Sequence, residues 1–359
     1  MSYDIAIIGA GIAGASLAAA LAPHARVLLL EAEDQPGYHS TGRSAAFWSE
    51  TYGGPGIQPL TSASEAALRG GGFLAPLGSL HIGRVEDAAQ IDAFLAAFDG
   101  TAVALHRVDP AGFVPGLRRD WTLGVHEPSC AYIDVAALHA AYLAEMRRAG
   151  GVIATRAGLT AAHRDGGAWT IVTPSGTYRA DVLVNAAGAW ADPVAVRLGA
   201  APLGIQPYRR TMAQLRTEPP APAELPHVAD IRGRFYFKPE AGKLWLSPHD
   251  ETPVDPHDVA PEEIDVARAI DRFEGVVDWR VAAVERRWAG LRSFAPDRLP
   301  VYGFDSRVPG LFWCAGQGGF GIQTAPAGAA VAASLLLGTG LPEGFAGIDV
   351  GRYAAARFG

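Results

Sequence analysis

Residues 5–22 are almost wholly apolar, yet they carry glycines at positions 9, 11 and 14. Asp4 stands where a secretory leader would carry positive charge, so the run does not read as a signal peptide or membrane anchor. Tyr3 to Ile8 has the short, continuous, β-branched character of a buried strand. Gly9-Ala10-Gly11-Ile12-Ala13-Gly14 follows at once, then a helical run from Ala15 to Ala22 halted near Pro23. A second predicted strand, Arg26 to Leu30, ends on Glu31, 22 residues after Gly9. Strand, G-x-G-x-x-G, helix, strand and terminal acid together spell a dinucleotide-binding βαβ unit. Gly9 permits the tight turn, and Gly11 lets backbone approach a pyrophosphate at the helix N-terminus, which Ile12 and Ala13 open. Gly14 lets the helix pack closely on the sheet. Glu31 is placed to accept hydrogen bonds from an adenosine ribose, and its charge would repel a 2′-phosphate. NAD and FAD both satisfy these residues.

Two later segments favour FAD. His39 to Ala46 supplies small donors just beyond the ribose acid, in Ser40, Thr41, Ser44, Ala45 and Ala46, with one cation, Arg43. Ser40 or Thr41 would also serve as a helix N-cap. Near the C-terminus, a predicted strand from Gly310 to Ala315 runs into Gly316-Gln317-Gly318-Gly319-Phe320-Gly321-Ile322-Gln323-Thr324. An apolar helix from Ala325 to Leu337 follows, and its glycine-rich N-terminus would stabilise a developing anion such as a reduced flavin. No second G-x-G-x-x-G follows a strand, so the substrate itself is expected to reduce the flavin.

At 359 residues with 49% hydrophobic and 19% charged composition, the chain has ample core for more than one layer and is not disordered. A net charge of -7 argues against nucleic-acid or anionic-membrane partners, which need a basic footprint. Two cysteines, Cys130 and Cys314, build neither a disulfide framework nor a structural zinc site, and a reducing, cytoplasmic compartment is expected. No other stretch reaches the roughly 20 apolar residues of a membrane span. Elsewhere the pattern predicts a helix over 134–148, strands at 151–157, 168–173 and 177–184, and a second sheet from 205–216 and 232–249. A loop at 255–261 should lead into a helix at 262–274.

The chain resembles the FAD-dependent D-amino-acid oxidase superfamily in its glycine/sarcosine-oxidase-like branch, nearest its bacterial D-arginine-oxidising members. The motifs that carry the likeness run in order through the chain: G-A-G-I-A-G-A-S, Gln35 to Ala46, Val184 to Trp190, Trp288 to Phe294, and Gln317 to Thr324. The resemblance implies a Rossmann-like α/β FAD domain from residues 1–72, 129–200 and 300–359. It implies a substrate domain on a largely antiparallel sheet from 73–128 and 201–299. It adds Leu159, Ala187, Gly188, Trp190, Gly318, Gly319, Gly321, Ile322, Gln323 and Thr324 to the noncovalent FAD site, since no cysteine matches a covalent attachment.

By the same resemblance Arg292 and Arg210 would bind a substrate carboxylate, with Tyr52 and Tyr236 lining the pocket and Gly53 to Gly56 flexible enough for a lid. The implied reaction is hydride transfer from the substrate Cα to flavin N5. The resulting imino acid would hydrolyse to a 2-oxo acid and ammonia, with oxygen or a quinone as possible electron acceptors. No histidine is placed as a general base, and His39 is expected to orient the cofactor loop. The D-arginine type carries an acid where this chain has Ser79, and a loop histidine where it has Phe47 beside Trp48. With Gln323, those residues predict a pocket for apolar or aromatic D-amino acids. N-methyl amino acid or glycine oxidation, 2-hydroxy-acid oxidation, and a non-catalytic flavin module are the alternatives.

Overall fold

The computed structural model describes residues 2–359. Five parallel strands form the heart of the first sheet, in the order Val152–Ala154, Val27–Leu30, Ser2–Ile8, Gly176–Asn185 and Leu311–Ala315. The antiparallel pair Ala161–Asp165 and Ala168–Thr173 extends it along the first half of Gly176–Asn185, and Val301–Phe304 closes the other side. These parallel strands are buried on both faces, as their continuous apolar runs require. Helices Ile12–Leu21, Val135–Arg148 and Ala325–Leu337 cover one face. Trp169, Ile171, Ala191 and Val194 pack on the other. Cys130 and Cys314 are both buried and unpaired.

The second sheet is larger and almost entirely antiparallel. Its spine is the pair Gln206–Glu218 and Arg280–Phe294, paired from Gln206 opposite Phe294 to Glu218 opposite Arg280, with the register unbroken as far as Gln214 and shifted after Gln214 and again after Arg216. The hairpin Tyr236–Glu240 and Lys243–Ser247 continues it, followed by His227–Asp230, Ser79–Arg84 and Trp121–Glu127. Helix Glu263–Glu274 packs Val266, Ala269 and Phe273 against Ala213, Leu215, Phe237, Leu244 and Leu246 on the back of this sheet. Its other face looks at the end of the first sheet where the parallel strands terminate. Gln317–Gly318 leaves the last parallel strand and pairs with Ser293 and Phe294, which ties the two sheets together.

Several expectations shift. Residues 232–249 form a hairpin instead of one strand, because Ala241 and Gly242 both take positive φ and turn the chain. Arg280–Phe294 is a 15-residue strand whose charged middle, Glu285 to Arg287, concealed it. That stretch is an open edge, and exposed charge there blocks pairing with another chain. The segment around Ser40 and Thr41 is a series of turns and starts no helix.

Gly14 tests the close helix–sheet packing most directly, since a Cβ there would run into the Gly9 carbonyl oxygen. Gly14→Ala is expected to lower stability by about 1–3 kcal/mol in urea unfolding. Gly70→Ala, on a helix with nothing near the added methyl, should leave stability unchanged or raise it by up to ~1 kcal/mol. Equal effects would refute the packing argument.

Candidate active site

All five parallel strands end at one cleft of about 490 Å³, in the range of ligand sites. This is where α/β sheets bind ligands, at the carboxyl ends of their strands. Its walls run without a break from Glu31 and Leu159 to Arg210, Tyr236 and Arg292. Gly9, Gly11, Gly37, Gly158, Gly188, Gly318, Gly319 and Gly321 all line it, so much of the wall is bare backbone. Gly9 has φ +100°, and a Cβ there would lie 2.5 Å from the Ala186 carbonyl oxygen. Thr41 does not start a helix of its own; its Oγ1 accepts from the Ile12 N–H at 2.9 Å and caps the first helix from across the cleft.

Glu31 is buried, with its carboxylate accepting from Ala10 N at 2.9 Å and Glu33 N at 3.0 Å. Those bonds aim it along the cleft wall. His39 bonds Glu33 at 2.9 Å and lies tilted against the Trp190 ring, 4.5 Å between centroids, while Ser40 donates to the Leu291 carbonyl at 2.7 Å. Ile12, Ala13, Ser44, Ala45, Ala46, Ala187 and Ile322 line the cleft as well. Arg43 lines it too, but its guanidinium is committed elsewhere, paired with Asp258 and donating to the Val259 carbonyl at 3.1 Å. It therefore fastens loop 255–261 and is not a free pyrophosphate cation. Gly14 and Thr324 lie behind the wall, the first in helix packing and the second donating to the Phe320 carbonyl at 2.9 Å.

At the other end, the register of the long strand pair decides the chemistry. Arg210 lies opposite Gly290 and Arg292 opposite Tyr208, so the two arginines are diagonal neighbours on the face toward the cleft. Adjacent Arg209 points to the opposite face, where Asp265 and Glu262 hold it. Arg210 Nε donates to the Asp250 carbonyl at 2.8 Å, while its Nη1 is buried without a partner. Arg292 Nη2 donates to the Tyr52 hydroxyl. A Cβ on Gly319 would collide with the Arg292 guanidinium, so this glycine lets the arginine lie against backbone. Burial, and then the neighbouring Arg292, lower the Arg210 pKa from its ordinary value. Tyr236 donates to Met212 Sδ at 3.2 Å, and burial raises its pKa.

Phe47 forms the aromatic wall, 5.0 Å from the Tyr52 ring and 4.2 Å from His227 between centroids. Ser79 does not reach the cleft. It stands behind Phe47, its hydroxyl 3.0 Å from His227 Nδ1. Trp48 is not a pocket residue either; it is fully buried in the core and donates to the Thr61 carbonyl. Phe47–Trp48 is a short strand paired with Ala131–Ile133, and alternation along it sends the Trp48 side chain away from that of Phe47. Gln323 reaches the cleft, yet its amide donates to the Tyr52 carbonyl at 3.1 Å and Thr61 Oγ1 at 2.8 Å. Tyr52 is thus pinned at its backbone rather than loose. Glu127, buried beneath the same loop, accepts from Glu50 N, Ser49 Oγ and Thr51 Oγ1. Glu127, His227, His249 and the pair Asp250–Glu251 were not legible as site residues, because only the folding of distant strands brings them here.

Residues 4–335 match the DAO family, FAD dependent oxidoreductase. The chain belongs to that family. Dimethylglycine dehydrogenase of Rattus norvegicus is 27% identical over 362 residues, covering 89% of this chain and 41% of that protein. The chain spans under half the length of the dimethylglycine dehydrogenases it matches. Glycine oxidase from Geobacillus kaustophilus superposes with a TM-score of 0.84 at 22% identity, over 98% of both chains. L-amino acid deaminase from Proteus vulgaris gives 0.81 at 15% identity, over 98% of this chain and 96% of that one. FAD is therefore the cofactor, and the glycine-walled cleft with its buried acid fits it. Among the described residues no helix is long and apolar enough to cross a membrane, and no cluster could hold a metal.

The histidines around this site are held neutral. Burial lowers His81 to about 4, and burial with Arg210 and Arg292 lowers His249 to about 3. Burial also pulls His227 well below its ordinary value. Each binds a proton near pH 6.5 once unfolded, so stability should fall as pH drops from 6.5 towards 4, by up to about 1.4 kcal/mol per pH unit for each. Urea unfolding between pH 7.5 and 5 is expected to show this slope, shallower by one proton in His81→Asn. An unchanged slope in that variant would exclude His81 as a source.

Proposed function

We propose that this chain catalyses FAD-dependent oxidation of an α-amino acid with an apolar or aromatic side chain, of D configuration. The paired guanidiniums of Arg210 and Arg292 carry this reading. A carboxylate placed between them would satisfy the unpartnered Arg210 Nη1 and meet Arg292 Nη1. Charge-assisted bonds of this kind contribute about 1.5–3 kcal/mol each and fix orientation. With the carboxylate anchored, the amine and Cα would project along the cleft towards the glycine-rich wall of Gln317 to Gly321, and the side chain towards Phe47, Met212 and Tyr236.

Bound FAD supplies the two-electron acceptor for the Cα–H, leaving an imino acid that water hydrolyses to a 2-oxo acid and ammonia. Everything else falls to positioning and exclusion of water. Phe47, Tyr52 and Tyr236 wall the site with rings, and the neutral histidines behind them add no charge. His249 and His81, with depressed pKa values, are poor bases at neutral pH, so the substrate is expected to react as the neutral amine. A cationic side chain would meet Phe47, Met212 and Tyr236 and no acid at that end of the cleft wall, which disfavours D-arginine. Resemblance supports the D configuration; dimethylglycine dehydrogenase and L-amino acid deaminase stand for the N-methyl and L-amino acid alternatives.

Anaerobic addition of D- and L-amino acids to the flavoprotein provides the test. Apolar and aromatic D-amino acids should bleach the visible flavin bands while L-forms and 2-hydroxy acids leave them intact. Arg292→Ala should cut kcat/KM at least about 100-fold, equivalent to ~3 kcal/mol. Bleaching by D-arginine above all others, or by 2-hydroxy acids alone, would overturn the assignment.

A further inference from the structure

The loop that follows the hairpin contributes two adjacent acids with different behaviour. Asp250 is fixed: its carboxylate accepts from Thr211 N at 2.7 Å and Thr211 Oγ1 at 2.9 Å, and its carbonyl accepts from Arg210 Nε. The next side chain, Glu251, is about one-third exposed and bonded only to arginines. Its Oε1 lies 3.3 Å from Arg292 Nη1, 3.4 Å from Arg210 Nη2 and 2.9 Å from Arg298 Nη2, and its Oε2 lies 3.0 Å from Arg298 Nη2. Among the described ion pairs Glu251 is the sole acid on Arg292. Arg298 differs from the other two. Its side chain is 48% exposed, its guanidinium stacks 3.9 Å over the Phe294 ring, and it does not line the cleft.

A buried guanidinium and a largely buried one side by side cost free energy unless an anion compensates them. We infer that Glu251 is an internal stand-in for the substrate carboxylate, occupying Arg210 and Arg292 in the empty site and passing to Arg298 when substrate binds. Fixed Asp250 restricts the movement to the Glu251 side chain. Handover keeps the count of ion pairs constant: the incoming carboxylate pairs with Arg292 through Nη1 and with Arg210 through the unpartnered Nη1 and the Nη2 that Glu251 leaves, and Glu251 keeps its two bonds to Arg298. An amine without a carboxylate cannot displace Glu251, so the same device selects against simple amines. This inference rests on Arg210 and Arg292 being the carboxylate anchor.

Benzoate, a carboxylate that cannot be oxidised, is the probe, titrated calorimetrically into the FAD-loaded wild type, Glu251→Gln, Arg298→Ala, the double variant and Arg292→Ala. Glu251→Gln should bind benzoate about tenfold more tightly, and Arg298→Ala several-fold more weakly, because Glu251 then has no alternative partner. The double variant should match Glu251→Gln. That last equality distinguishes handover from a general field effect, since Arg298 acting through its charge alone would still weaken binding without Glu251. A persistent Arg298→Ala effect in the Glu251→Gln background overturns the handover, as does a Glu251→Gln affinity equal to wild type. If Arg292→Ala abolishes binding in either case, the carboxylate anchor stands without the stand-in. If benzoate binds and Arg292→Ala makes no difference, or benzoate fails to bind wild type and Glu251→Gln alike, both readings fall.

Discussion

Arg210 and Arg292 put two positive charges side by side under one face of a sheet, and much of the molecule answers that fact. Their adjacency is a matter of register. Arg210 opposes Gly290 and Arg292 opposes Tyr208, so a slip of one residue along this pair would send one arginine into the apolar core behind the sheet. The unbroken ladder from Gln206 opposite Phe294 to Gln214 opposite Arg286 holds that register, and the shifts come only beyond it. The surroundings then divide the cost of burial: Asp250 takes one guanidinium edge, Tyr52 another, Glu251 bridges the two arginines while Arg210 Nη1 stays unpartnered, and Gly319 yields the space its side chain would have filled.

The other end of the cleft works with backbone rather than charge. The five parallel strands stop together, and their turns supply glycines where a ligand must approach main chain. Cross-links between distant segments make this wall rigid. Thr41 caps the first helix, His139 bonds the Ala10 carbonyl, and Trp288 donates to the Arg43 carbonyl. The Gln317–Gly318 bridge onto Ser293 and Phe294 matters most for geometry, because it fixes the glycine-rich turn against the strand that carries Arg292. Cofactor end and substrate end are thus positioned by a single pairing between the two sheets.

Much of this was legible in the chain. The strand–glycine–helix–strand–acid series fixes its own local structure: Gly9 takes the positive φ of the turn, and Gly14 answers a steric demand made five residues away, by the Gly9 carbonyl. The helix Ala325–Leu337 is likewise dictated by its apolar composition and preceding turn. Resemblance marked Arg210, Arg292, Tyr52 and Tyr236, all of which line the cleft. Trp48, Ser79 and Arg43 mark the limit of that approach. Trp48 and Ser79 each stand next to a wall residue but turn their side chains out of the cleft, and Arg43 lines it with its guanidinium held by Asp258, over 200 positions away.

Sequence alone determined the dinucleotide unit, its buried acid and the alternation of apolar strands and helices, because those depend on neighbours close in the chain. Only the tertiary structure decided that Glu251 and Arg298 share the two inner arginines, that His227 and Ser79 stand behind Phe47, and that Glu127 supports the Tyr52 loop. Those relations depend on strand register and on loops meeting across the cleft, where residues 40 to 240 positions apart become hydrogen-bond partners. Short-range pattern carries no record of such meetings; burial and charge compensation settle them once the two sheets have closed.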